Sequence, residues 1–531
     1  MKTLKHLFTA LLLLCCLTAT AHDFEVDGIY YNITDATNKT VEVTYQGDYY
    51  YSYDNEYTGN VVIPESFISN GKSYTVTSIE HDAFAFCSGL TSIVIPGSVT
   101  SIGDAVFNRC YSLKELHIAD GEGTLNLGYS YLIDNTCKPL FYDCPLETLY
   151  LGRDLDYSGK FTPSPFNDKT TLTSVTIGNR VTSIGNYAFY DCSGLTSIEI
   201  PNSVISIGNY AFYDCSGLTS VEIPNSVRSI GSYAFYGTAW YNNQPDGVVY
   251  TGKVLYKYKG TMPENTSIVI EDGTLEITDY AFENCNGLAS IEIPNSIISI
   301  GKYTFKKCKS LASIKIPNSV TSIGEAAFEG CTGLTSIEIS NSVKSIDRDA
   351  FKDCSSLTAV HISDLAAWCN IDFYNSDANP LFYAKNLHLN AKLLTELSIP
   401  TKIVEVKNYA FYNCTNIKSI TIHDGIKAIG KSAFSGCSKV ETIYIGNSIE
   451  NIKDYAFANC NNIFEIEIAS KKAITASKNV FSNDAYNNVC LYVPKGRKFA
   501  YERTTPWNNF YIVEKDFADN NEVLDEVKSE R

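Results

Sequence analysis

Residues 194–215 read GLTSIEIPNSVISIGNYAFYDC, and residues 216–237 follow at once with SGLTSVEIPNSVRSIGSYAFYG, the same phrase 23 positions on. Aligning further copies gives the unit L-x-x-I-x-I-P-x-S-V-x-S-I-G-x-x-A-F-x-x-C. Its phenylalanine recurs at Phe84, Phe107, Phe141, Phe166, Phe189, Phe212, Phe235, Phe282, Phe305, Phe328, Phe351, Phe382, Phe411, Phe434, Phe457 and Phe481. Nine of the intervals are 23 residues long. A fixed period of this size marks stacked repeat units, each too small to bury its own apolar face.

Each position in the unit has a physical job. L-x-x-I-x-I alternates apolar and polar residues, which predicts a short strand with one face inward. A neighbouring copy must cover that face, giving a parallel sheet with rungs roughly 4.8 Å apart. Pro201, Pro224, Pro294 and Pro317 end the strand by withdrawing a backbone donor. The glycines of the S-I-G element (Gly103, Gly185, Gly208, Gly231, Gly301, Gly324 and Gly430) suit a turn with positive φ. The phenylalanine then enters the core from the return segment. The expected fold is a leucine-rich-repeat solenoid: one long parallel β-sheet on the concave face, short irregular or helical return segments, a β-rich N-terminal cap and a C-terminal cap.

The unit, with I-P-x-S-V and A-F-x-x-C together in copy after copy, resembles the repeat of the BspA-like leucine-rich repeat family over roughly residues 60–495. Members are exported by bacteria of mucosal and oral habitats. They include surface adhesins that bind host extracellular-matrix or plasma proteins. The resemblance implies a binding role of that kind, names no ligand and carries over no catalytic residue.

The ends of the chain read differently. Residues 1–21 have the form of a signal peptide: Lys2 and Lys5, an apolar run from Leu7 to Leu17, then Ala19-Thr20-Ala21 before His22. Cys15 and Cys16 lack the small preceding residue of a lipid-anchor site. Residues 22–78 read as the N-terminal cap, 79–488 as the solenoid, 489–517 as a C-terminal cap closed by Trp507 and Tyr511, and 518–531 as a disordered tail. Insertions break the period near residues 119–140, 238–265 and 364–381. In the second of these, Thr251-Gly252 joins two strand-like runs as a hairpin.

Composition excludes several functions. Residues 22–531 carry a net charge of −19 with no basic cluster, which argues against nucleic-acid binding. No segment beyond the signal is apolar enough to predict a transmembrane span. The histidines are scattered, and neither H-E-x-x-H nor C-x-x-C occurs, so no metal or other cofactor is expected. No nucleophile elbow or phosphate-binding loop is present, and the chain is read as non-catalytic.

Cysteine recurs at the last position of the unit, at Cys87, Cys110, Cys192, Cys215, Cys285, Cys308, Cys331, Cys354, Cys414, Cys437 and Cys460, with Cys144 at the same site. The run Cys414, Cys437, Cys460 cannot pair off completely, so buried thiols filling a small apolar site are the reading. Whether Cys137 and Cys144 pair is left open.

Binding candidates lie on the outward face of the strands. The third position of L-x-x-I-x-I is mostly Ser or Thr. The fifth runs through Tyr150, Glu199, Glu222, Glu292, Lys315, Glu338 and Tyr444, an acidic stripe with tyrosines towards its ends. Trp240 and Tyr241 in the 238–265 insertion form a second candidate, either an exposed aromatic arm or a degenerate repeat packed on its neighbours. These residues point to an exported adhesin or interaction scaffold with a protein partner, at the cell surface, secreted, or in the periplasm. The alternatives are a glycan-binding or structural cell-envelope protein.

Overall fold

The computed structural model describes residues 22–52, 55–131, 136–157, 164–483 and 485–517. The signal read at residues 1–21 and the tail read at 518–531 lie outside the described residues. The chain divides into two compact units, residues 1–244 and 245–531. Each is a parallel β-solenoid with little helix.

In the first unit the long strands pair in register along one side, from Gly59–Val62 through Leu90–Ile95, Glu115–Ile118 and Thr148–Leu151 to Ser174–Ile177. Ser197–Glu199 and Ser220–Glu222 continue the row. The expected sheet has a companion: the S-I dipeptides form a second parallel row, including Ser183–Ile184, Ser206–Ile207 and Ser229–Ile230. The turns that follow make a third side. There the Tyr187, Phe189 and Asp191 N–H groups each donate at 2.8 Å, to the carbonyl oxygens of Asn209, Ala211 and Tyr213 on the next turn. All three sides thus satisfy their backbone groups through the neighbouring turn, as buried backbone requires.

The repeat phenylalanines stack inside this frame. Phe189 and Phe212 have centroids 5.4 Å apart, Phe212 and Phe235 5.3 Å, and all three are fully buried. In the second unit Phe282, Phe305, Phe328 and Phe351 form one such column, and Phe411, Phe434, Phe457 and Phe481 another. Phe382, assigned to the column from sequence, stands outside it. It is half-buried and stacks on Tyr412, while its neighbours Leu381 and Ala384 are buried. The cause is local: Leu381–Ala384 winds into a helical turn whose buried residues are Leu381 and Ala384, not Phe382.

The S-I-G glycines also act differently from expectation. None has positive φ; instead a Cβ at Gly208 would lie 2.5 Å from the Asn186 backbone nitrogen, and one at Gly231 2.3 Å from that of Asn209. Glycine is needed there because one turn's backbone lies against the next. The left-handed positions fall elsewhere, in most turns two residues before and two after the Phe, as at Tyr187 (φ 57°) and Asp191 (φ 55°).

The repeat thiols point inward, and most of them clasp the previous turn. The Cys110, Cys192, Cys308 and Cys331 Sγ–H groups donate to the carbonyl oxygens of Phe84, Phe166, Phe282 and Phe305 at 3.0–3.1 Å. Cys137 and Cys144 are both free thiols, the latter buried.

The caps close open edges. At the N-terminus Phe24–Val26, Ile29–Asp35 and Thr40–Thr44 form an antiparallel meander, whose last strand pairs in parallel with Lys72–Ile79 and so starts the second row. At the C-terminus Trp507 is fully buried, meets Phe481 edge-on at 6.0 Å and donates its Nε1–H to the Ile474 carbonyl oxygen at 2.8 Å. Tyr511, expected to share that task, is 73% exposed; Phe510 and Tyr501 are buried in its place.

Candidate functional site

On each long strand the first, fourth and sixth repeat positions are buried, and the third and fifth face outward. Leu195, Ile198 and Ile200 lie in the core, while Ser197 and Glu199 are exposed. In-register parallel pairing then sets equal positions side by side, so a choice made once per repeat becomes a column. In the first unit the fifth-position column runs Val62, Val94, His117, Tyr150, Thr176, and farther along the row Glu199 stands beside Glu222. In the second unit it includes Val269 beside Glu292, then Lys315, Glu338, His361 and His388 in sequence, then Ser398, Thr421, Tyr444, Glu467 and Tyr492.

The candidate residues fare differently. Glu199 and Glu222 are exposed neighbours, and like charges directly opposite on adjacent strands disfavour folding. A shallow hollow of about 330 Å³ lies beside Glu199, lined by Thr173, Thr176, Asn179 and Ser197. Glu292 is exposed. Lys315 and Glu338 form a surface ion pair at 3.1 Å, so the acidic stripe of this unit is broken by a neutralised rung. Tyr150 stacks on His117 with centroids 4.3 Å apart and donates its hydroxyl to Asp120 Oδ1 at 3.0 Å. Burial, then that bond, raises its pKa. Tyr444 is half-buried between Thr421 and Glu467.

Trp240 and Tyr241 are not an arm. They sit in the short helix Ala239–Asn242, which Thr238 caps by accepting from the Tyr241 N–H at 3.0 Å. Tyr241 is buried, and Trp240 meets Phe235 edge-on at 5.2 Å. The rest of the insertion is the anticipated antiparallel hairpin, Gly247–Thr251 with Val254–Lys259, turning at Gly252 (φ 58°).

Sequence reading missed several members of this face. Glu115 and Glu465 interrupt the hydroxyl column, and His388 stacks beside His361 at 4.8 Å. Burial and the His361 imidazole push the His388 pKa down. It also missed six tyrosines on the turn side of the first unit, although the tetrapeptide Y-A-F-Y in three successive turns was the available signal. Tyr187, Tyr210 and Tyr233 stack in one column, and Tyr190, Tyr213 and Tyr236 in another beside it.

Burial pushes the thiols of Cys215, Cys331 and Cys460 up to about 12, so they stay protonated and are not nucleophiles. Among the described residues no group of three or more His, Cys, Asp or Glu side chains is placed to hold a metal ion. No helix among them is long and apolar enough to cross a membrane.

The family model described as BspA type leucine rich repeat region (6 copies) matches residues 47–132, 77–162, 135–244, 256–379 and 384–496. Among solved structures, a leucine-rich repeat protein from Bacteroides ovatus is 23% identical, with 84% of this chain and 94% of that one covered and a TM-score of 0.29. A leucine rich cell surface protein from Faecalibacterium prausnitzii is 22% identical, with 88% and 97% covered and a TM-score of 0.26. The pneumococcal vaccine antigen PcpA is 16% identical, with 94% and 100% covered and a TM-score of 0.26. No curated protein matches.

Proposed function

The chain belongs to the BspA-type leucine-rich repeat family, and on that premise we propose that it is an exported, non-catalytic protein-interaction scaffold. Its place is outside the cytoplasm, and its partner is a protein such as a host matrix or plasma component. One observation carries the reading. The inward positions of the repeat are nearly uniform, while the outward fifth position changes chemistry from rung to rung, from Val94 to His117, Tyr150, Thr176 and Glu199. The core needs sameness to stack; a surface that only needs solubility has no use for such variety, whereas a recognition face does.

The test uses two charge-matched variants of the whole chain against immobilised matrix and plasma proteins and neutral polysaccharides. E199Q/E222Q/E292Q/E338Q alters the strand face, and E25Q/D48N/E264Q/D272N alters exposed acids away from it. The first quartet lowers protein binding well below the second, with the salt dependence of a charged contact. Equal losses in both, or binding only to polysaccharide, would remove the strand face as the protein-binding surface. Protease treatment of intact cells checks the location: degradation of the chain places it at the surface, and protection places it inside.

A further inference from the structure

The two tyrosine columns on the turn side of the first unit stand side by side, their rings tilted against each other by 44–80°. Spacings are 4.9 and 5.4 Å along Tyr187, Tyr210 and Tyr233, and 5.0 and 5.3 Å along Tyr190, Tyr213 and Tyr236. Across the columns they are 5.8, 5.5 and 5.8 Å. The backbone does not require these side chains. The turn of Phe107 has Ala105 and Asn108 at the equivalent positions, and that of Phe328 has Ala326 and Glu329, with the same left-handed φ of 55° and 50° at the alanines. Tyrosine also stands two residues before the Phe at Tyr280, Tyr303, Tyr409 and Tyr455, so what sets these three successive turns apart is the second column directly after the Phe, at Tyr190, Tyr213 and Tyr236.

The array has a defined chemistry. Ring planes along the columns lie within 21° of parallel, so the middle rings have both faces covered by neighbours. A partner meets ring edges and phenolic oxygens. Sugars stack on open ring faces, which only the column ends retain. Asp191 and Asp214 directly follow Tyr190 and Tyr213 and are half-buried; among the described residues neither forms a salt bridge. Carboxylates only accept hydrogen bonds, and phenols accept as well as donate. The surface therefore has acceptors in excess, within a chain of net charge −19 over residues 22–531.

We propose that this tyrosine platform, bordered by Asp191 and Asp214, is a docking surface for an extended peptide segment carrying arginine. The guanidinium supplies five donors in a planar fork for the carboxylates and phenolic oxygens, and its alkyl stem lies along the ring edges. Tyrosine contributes rigid amphipathic contact area at low entropic cost. The inference rests on the scaffold reading and adds to the strand face a second contact on the turn side.

Calorimetry on the full chain tests it, with a synthetic alternating Arg-Ser peptide, its Lys-Ser counterpart and a neutral oligosaccharide as probes. The Arg peptide binds, and the Lys peptide binds more weakly. D191N/D214N, which suits left-handed backbone equally well, weakens the Arg peptide by about 10-fold. Y190F/Y213F/Y236F keeps the stacked rings, removes the oxygens and also weakens it. The control E25Q/D48N, at exposed acids of the N-terminal cap, removes the same charge and stays within about 2-fold. No binding of the Arg peptide, or equal losses from the two acidic double variants, overturns the platform. Either failure leaves the scaffold reading in place, because that reading is decided by the strand-face quartet against matrix and plasma proteins.

Discussion

The thiol of Cys215 donates to the carbonyl oxygen of Phe189, 2.9 Å away on the preceding turn. The contact joins the two most regular features of the repeat, because the carbonyl belongs to the residue whose ring stacks on Phe212. Cys215→Ala removes volume and one of the two donors to that carbonyl, which keeps the Cys192 N–H at 3.2 Å, so it costs about 1–3 kcal/mol. Cys215→Ser restores a donor and recovers part of that loss. Urea unfolding of the two variants checks this, and equal losses would mean that the thiol acts by volume alone.

Thiol counting gives a second outcome. Thirteen of the fifteen cysteines among the described residues are buried, and Cys137 and Cys490 are partly exposed. Native protein reacts with about two equivalents of a thiol reagent, and unreduced denatured protein with nearly the full complement. A denatured count of one or two would show a disulfide-bonded column.

Burial of these thiols sets a pH dependence. Cys87, Cys215, Cys331 and Cys460 are raised from 9.0 to about 12. Between those values the folded chain keeps the protons and the unfolded chain releases them. The unfolded state then binds fewer protons, and stability falls as pH rises. The melting temperature therefore drops steeply above about pH 9, and a variant with several repeat cysteines changed to Ala or Ser drops less.

Two glycines separate close approach from backbone strain. Gly208→Ala places a Cβ 2.5 Å from the Asn186 nitrogen of the previous turn, so the turns must part despite an ordinary φ. Gly273→Ala meets nothing within 4 Å and suffers only from its φ of +83°. The second costs about 1–2 kcal/mol, and the first costs more. Thermal melts of the pair decide it.

Phe212→Ala and Phe382→Ala delete the same ring in different settings. The first leaves a cavity in a stacked column and costs about 3–5 kcal/mol. The second, half-buried against Tyr412, costs much less. Hydrogen exchange in Phe212→Ala loosens the turns of Phe189 and Phe235 before more distant turns of that unit, because repeat contacts are between neighbours.

Inward and outward alternation, the repeat length, the inward thiols and the fold class were legible in the sequence, since which side of a strand a residue occupies follows from local periodicity. The tetrapeptide Pro-Leu-Phe-Tyr shows where local reading stops: at 139–142 Phe141 enters the column, and at 380–383 a helical turn buries Leu381 and leaves Phe382 half-buried. The candidate sites depended still more on stacking. Whether Lys315 neutralises Glu338, His361 meets His388, or Tyr187 lies on Tyr210 is settled by which turn rests on which. A period names the residues that share a side. Only the packing of backbone against backbone, at rungs about 5 Å apart, brings residues distant in the chain close enough to pair, to stack and to be read together as a surface.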